Sequence, residues 1–169
     1  IRGETATGDC GAIATINSAS LMLGNRLSVM AIQRFYSYKY YSLMSSSFCE
    51  GSSVQNESGI CVGMNWAVLR RLSLSSYVDY AYFPWPRYLI TGTSRTFDMQ
   101  HTATWTKGSW DITARYRLKT WNRDNSETHS LDRVTQHRAR LAITNSNKLW
   151  LSRTQCDVSL YKQNGTSKG

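Results

Sequence analysis

The sequence predicts an all-β fold: an antiparallel up-and-down meander of about eight strands, forming a transmembrane β-barrel or a segment of a larger one. Three observations carry this. Apolar and polar residues alternate with period two through most of the chain. Short turns recur at Gly24-Asn25, Leu69-Arg70-Arg71, Lys107-Gly108-Ser109 and Asn145-Ser146-Asn147, while longer connections cover 37–58, 83–96 and 121–133. Aromatic residues gather at strand ends. Short turns at one end and long loops at the other are the pattern of membrane barrels.

The first hairpin, 12–23 and 26–36, is the least regular. Leu27, Val29 and Ala31 alternate with Ser28, but Met30 and Ile32 interrupt the polar side. Segment 60–68 sets Ile60, Val62, Met64, Trp66 and Val68 against Cys61, Gly63, Asn65 and Ala67. Segment 72–82 sets Leu72, Leu74, Val78, Tyr80 and Tyr82 against Ser73, Ser75, Tyr77 and Asp79. Segment 97–106 opposes Phe97, Met99, Ala103 and Trp105 to Asp98, Gln100, Thr102 and Thr104. The sharpest is 110–120, with Trp110, Ile112, Ala114, Tyr116 and Leu118 against Asp111, Thr113, Arg115, Arg117 and Lys119. Segment 135–144 opposes Ala139, Leu141 and Ile143 to Gln136, Arg138 and Arg140. Segment 149–161 sets Trp150, Cys156, Val158 and Leu160 against Arg153, Gln155, Asp157 and Tyr161. Both prolines, Pro84 and Pro86, fall in one loop, where a missing N–H costs no ladder bond. Strands of roughly 9–12 residues suit a tilted bilayer crossing.

With 169 residues the chain reads as a single β-barrel domain, 1–169, and hydrophobic residues make up 41% of it without any run long enough for a transmembrane helix. Ile1-Arg2-Gly3-Glu4 has neither a basic n-region nor an apolar h-region, so the expectation is a removed signal or an excerpt of a longer barrel. The formal charge is +9, from 20 basic and 11 acidic residues scattered along the chain, with concentrations at 115–119 and 138–140. Such a balance fits either a solvated surface or an anion-attracting lumen. Cys10, Cys49, Cys61 and Cys156 show no CxxC and no metal-ligand spacing. Cys49 and Cys61 flank one loop and could pair; four free thiols are the other reading. The three histidines stand apart, and neither metal nor cofactor is expected.

Alternation alone does not say what the apolar face touches. A small soluble lipocalin-like barrel also alternates, with its apolar face inward around an apolar ligand. The aromatic positions favour lipid. Trp66, Trp105, Trp110 and Trp150 flank the short turns. Tyr80, Tyr82 and Trp85, with Tyr36, Tyr40, Tyr41, Phe83 and Trp121, gather toward the long loops. Two belts separated by smaller apolar residues match the interfacial girdles of an outer-membrane barrel. The polar face carries a basic wall of Arg115, Arg117, Lys119, Arg138, Arg140 and Arg153, and the acids Asp79, Asp98, Asp111 and Asp157. Facing a lumen, these residues would either attract anionic solutes or pair into a salt-bridge plug. The partners expected are the lipid bilayer and the remaining strands of a parent barrel. Eight strands with this turn phase begin and end at the long-loop end, and 162–169 reads as a polar loop. Isolated, such a run leaves unpaired edges that lipid does not tolerate. A larger barrel follows.

No catalytic constellation emerges: GxSxG, HExxH and P-loop motifs are absent, and no enzymatic activity is expected. His101 shares the apolar face with Phe97 and Trp105, His137 with Ala139 and Leu141, and both read as packed rather than basic groups. His129 falls in a loop. The lumen acids read as arginine partners. Few aromatics share the face of the basic residues, which argues against nucleic-acid binding. Phe83-Pro84-Trp85-Pro86-Arg87-Tyr88 reads as an interfacial anchor or a recognition loop.

Several stretches carry a family resemblance. They are Arg2-Gly3-Glu4-Thr5-Ala6 followed by Gly11-Ala12-Ile13-Ala14-Thr15-Ile16-Asn17-Ser18; Gln33-Arg34-Phe35-Tyr36; Phe48-Cys49-Glu50-Gly51 with Val54-Gln55-Asn56-Glu57-Ser58-Gly59; and Asp79-Tyr80 with Phe83-Pro84-Trp85-Pro86-Arg87-Tyr88. Arg115-Tyr116-Arg117-Leu118-Lys119 and His137-Arg138-Ala139-Arg140-Leu141 continue it. Together they resemble the barrel region of large outer-membrane proteins of Bacteroidetes that carry an N-terminal helix-hairpin-helix domain. The resemblance spans nearly all of this chain but only part of such a protein. It implies an outer-membrane location and no particular biochemical activity.

Overall fold

Each expected short turn closes a hairpin in the computed structural model of the chain, which describes residues 1–8, 11–41, 47–124, 131–147 and 149–163 and the backbone of 166–168. The described residues form ten strands: β1 Arg2–Thr7, β2 Ile13–Leu23, β3 Leu27–Tyr36, β4 Glu57–Leu69, β5 Leu72–Phe83, β6 Ser94–Lys107, β7 Trp110–Asp124, β8 Leu131–Ser146, β9 Leu151–Gln163 and β10 Thr166–Lys168. They make one antiparallel sheet in sequential order, with no pairing between β1 and β10, so the sheet is open.

The eight expected strands correspond to β2 through β9, most of them longer than the alternation suggested. Two strands are additional. β1 pairs with β2 from Arg2↔Ser18 to Thr7↔Ile13, and β10 folds back on the end of β9. Arg-Gly-Glu-Thr-Ala-Thr has no apolar phase from which to read a strand. Ladder hydrogen bonds to the irregular β2 define it instead. The count that placed both ends of the meander at the long-loop side is corrected accordingly, because β1 runs up toward that side. Residues 166–168, expected as loop, form the short β10.

Turn chemistry explains the hairpin register. Gly108 has φ +62° and Ser109 follows without positive φ, between Lys107 and its partner Trp110. That is the two-residue hairpin turn with glycine first, whose twist matches the strands it joins. The turn at Arg70-Arg71 has no glycine, and a register shift between Ala67 and Leu69 accompanies it.

Side-chain phase then divides the sheet into two faces. On one lie Ile60, Val62, Met64, Trp66, Val78, Tyr80, Leu141, Val158 and Leu160, all exposed; Val158 is 52% exposed and Leu160 50%. The opposite face is polar, and the segment 47–56 folds across its upper part. Among the described residues, the largest fully buried side chains belong to the covered side, including Arg34, Glu57, Asp132 and Phe83. A small apolar cluster of Ala12, Ala14, Tyr36, Tyr40 and Val54 fills the space beneath the long loop.

Gly108→Ala is expected to cost about 1–2 kcal/mol through backbone strain alone, since a Cβ there meets nothing within 4 Å. Denaturant titration of both forms checks this, and Gly108→Asn, which tolerates positive φ better, should lose less.

Candidate functional site

The polar face is built from cross-strand neighbours. Arg34 on β3, Glu57 and Gly59 on β4 and Asp79 on β5 lie side by side at its upper end. Arg34 is fully buried. Its Nη1 and Nη2 donate to the two oxygens of Asp79 at 2.7 and 3.0 Å, and its Nε donates to Glu57. This fork-on-carboxylate geometry is the strong form of an ion pair. Glu57 also accepts the backbone N–H of Glu50, at 2.9 and 3.0 Å to its two oxygens, and that of Gly51 at 2.9 Å. One carboxylate therefore holds both the arginine and the loop. The ring of Phe48 lies 4.9 Å from the guanidinium, on the same loop. Gly59 leaves the room: a Cβ there would lie 2.7 Å from Arg34 Cζ and 2.8 Å from Tyr80 O.

The network continues toward β9. Arg117 donates to Asp98 through Nε at 2.9 Å and through Nη2; Lys119 pairs with Glu50 of the loop; Arg140 pairs with Asp157 at 2.5 Å. Thus Asp79, Asp98 and Asp157 are arginine partners. Asp111 pairs in register with Thr106 and Thr144 and makes no ion pair among the described residues. All six basic residues of the expected wall share this face, but they divide into two groups. Arg117, Lys119 and Arg140 are neutralised, whereas Arg115, Arg138 and Arg153 have no carboxylate partner among the described residues. Arg115 lies directly opposite Arg140, and Arg117 opposite Arg138. Directly opposed like charges repel, so this two-by-two array, with Asp98 and Asp157 as its only acids, is the least compensated part of the face. A cavity of about 310 Å³ lies along it.

The aromatic residues divide as well. Trp66, Tyr80, Tyr82, Trp105 and Trp110 stand on the apolar face, Trp85 in the 84–93 loop and Trp150 in the last short turn. Tyr36, Tyr40 and Phe83 do not join a belt. They are buried under the loop, with Tyr36 Oη donating to Phe48 O at 2.8 Å. Trp121 lies on the polar face in an edge contact with Tyr161. Both apolar-face histidines are partnered: His101 Nδ1 is 2.7 Å from Ser76 Oγ, and His137 Nδ1 is 2.9 Å from Tyr116 Oη. The possible Cys49–Cys61 bridge is not formed; Cys49, Cys61 and Cys156 are free thiols. Burial pushes the Cys49 thiol up, with Glu57 adding to the shift, which keeps it protonated and unreactive. Cys10 and His129 lie outside the described residues. Among those residues no group of three or more His, Cys, Asp or Glu could hold a metal ion.

Sequence reasoning found Asp79 but not its partners. Arg34 was hidden in the irregular hairpin, and Glu57 sat in what read as loop. The available signal was an unlike-charge pair at the two ends of one long connection. Compared with protein-family models, with curated proteins and with solved structures, the chain matches none.

Arg34→Met is expected to destabilise the fold by about 3–5 kcal/mol, because it strands two buried carboxylates. Denaturant titration reads this. Gly59→Ala should lose about 1–3 kcal/mol by crowding the same guanidinium.

Proposed function

We propose that this chain is a segment of the wall of a bacterial outer-membrane β-barrel, with a structural or transport role, a basic polar lumen and no enzymatic activity. The observation that carries the reading is the inverted distribution of burial. Buried side chains include Arg34, Glu57, Asp79 and Asp98, while the apolar face of β4 through β9 is exposed or half-buried, with Ile60, Val62, Val78, Leu141, Val158 and Leu160 exposed. In water such a face is a liability; in lipid it is the required surface. Trp66, Trp105 and Trp110 at one margin and Tyr80, Tyr82 and Trp85 at the other suit the two interfaces. The outer edge of β1 and most of that of β9 have no strand partner among the described residues. Remaining strands of a parent barrel would satisfy them, as lipid demands. The resemblance to the Bacteroidetes helix-hairpin-helix outer-membrane proteins agrees with this assignment.

The competing reading is a soluble lipocalin-like barrel. It needs an apolar lining on the covered face, and that face holds the charged network. Within the membrane reading, the uncompensated Arg115 and Arg138 favour the passage or binding of anions.

Cys156 offers a direct test, since it is exposed on the apolar face of β9. In a variant retaining only this cysteine and reconstituted in vesicles, a lipid-soluble maleimide should label it and a charged one should not. Equal labelling by both, or a monodisperse folded chain without detergent, refutes the membrane reading. For transport, planar-bilayer current through the parent barrel should be anion-selective, with the selectivity weakened by Arg115→Glu and Arg138→Glu.

A further inference from the structure

A second site lies above the sheet, between two loops, and does not depend on what the apolar face meets. The 84–93 segment closes on itself: Arg87 N donates to Ile90 O, and Ile90 N to Arg87 O, both at 2.9 Å. Leu89 within it has φ +60°, and Asn56 in the facing loop has φ +55°. These are the two non-glycine residues with positive φ among the described residues, a strained conformation that persists only where the surroundings enforce it. Asn56 supplies part of that enforcement. Its Nδ2 donates to Trp85 O at 2.8 Å, and its Oδ1 accepts from Trp85 N at 3.1 Å. Gln55 Nε2 donates to Tyr38 O at 2.6 Å, and the Tyr38 ring stacks on Trp85 with centroids 4.4 Å apart. The two loops are thus locked together around a pocket of about 610 Å³, a size that suits a small organic ligand.

Arg87 is the cation of this pocket. Its Cζ lies 3.4 Å from the centroid of the buried Phe83 ring, and Nη2 donates to Ser94 Oγ at 3.2 Å. Nε is buried with no partner. Nη1 has no hydrogen-bond partner among the described residues. No carboxylate among the described residues pairs with this side chain. Glu57 and Glu50, whose charges reach it, are committed to Arg34 and Lys119. Burial accordingly lowers the Arg87 pKa, with those two acids opposing the shift. A half-buried guanidinium without a counter-ion is costly, and a ligand oxyanion is the partner that repays it. The rest of the lining decides the ligand's body. Trp85, Tyr88 and Ile90 offer flat and apolar surface, with Trp85 and Tyr88 open to solvent. One cation matches a single negative charge better than a phosphate dianion.

We propose that this pocket binds a small organic carboxylate with a flat apolar body, its carboxylate on Arg87 and its body against Trp85 and Tyr88. Ligand-observed NMR on the folded full chain, titrated separately with benzoate and inorganic phosphate, tests it. Benzoate should bind saturably and more tightly than phosphate. Arg87→Gln should weaken benzoate at least about tenfold, as expected for losing a charge-assisted pair. Trp85→Ala should weaken benzoate while leaving phosphate unchanged, and it keeps the proposal testable if Arg87→Gln alters the fold. Absence of benzoate binding, tighter binding of phosphate, or benzoate affinity indifferent to both substitutions overturns the proposal.

Discussion

The upper half of this molecule depends on one buried guanidinium. Arg34 joins three adjacent strands through Glu57 and Asp79, and Glu57 in turn holds the backbone of Glu50 and Gly51. A buried ion cluster of this kind adds less net stability than its Coulomb energy suggests, because desolvation offsets most of it. What it supplies is specificity. Only one register of β3 against β4 brings Arg34 to the glycine that accommodates it. Only one path of the loop offers two N–H groups to Glu57. The covered apolar cluster around Tyr36 and Val54 follows from that path.

From this anchor the polar face grades from compensated to uncompensated. Around Arg34 the charges are paired, and the loop contributes its own acid to Lys119. Further down, Arg115 and Arg138 face their own kind. The paired cluster around Arg34 thus lies above an array of opposed arginines with fewer acids.

The strands and their phase were legible in the sequence because each pleated strand states its own orientation locally. From β4 onward, alternation alone sorted Ile60 through Leu160 onto one face and Asp79 through Tyr161 onto the other. Glycine at 108 announced its turn for an equally local reason. β1 was not legible, since Arg2–Thr7 has no apolar alternation and its strand exists only through pairing with β2. Arg34 with Glu57 was not legible either, because the two lie 23 residues apart and their encounter requires the β3–β4 register. The same applies to Asn56 and Trp85, whose mutual hydrogen bonds span 29 residues.

The sequence by itself therefore determined the period, the turns and the chemical identity of the two faces. Those are properties of neighbours along the chain, where a spacing of two residues suffices. Tertiary structure alone decided which charges cancel, which aromatic residues are covered and where a cation is left without a partner. Each of these depends on distances between strands and loops, and a long loop reaches across the sheet by a route that no local pattern specifies.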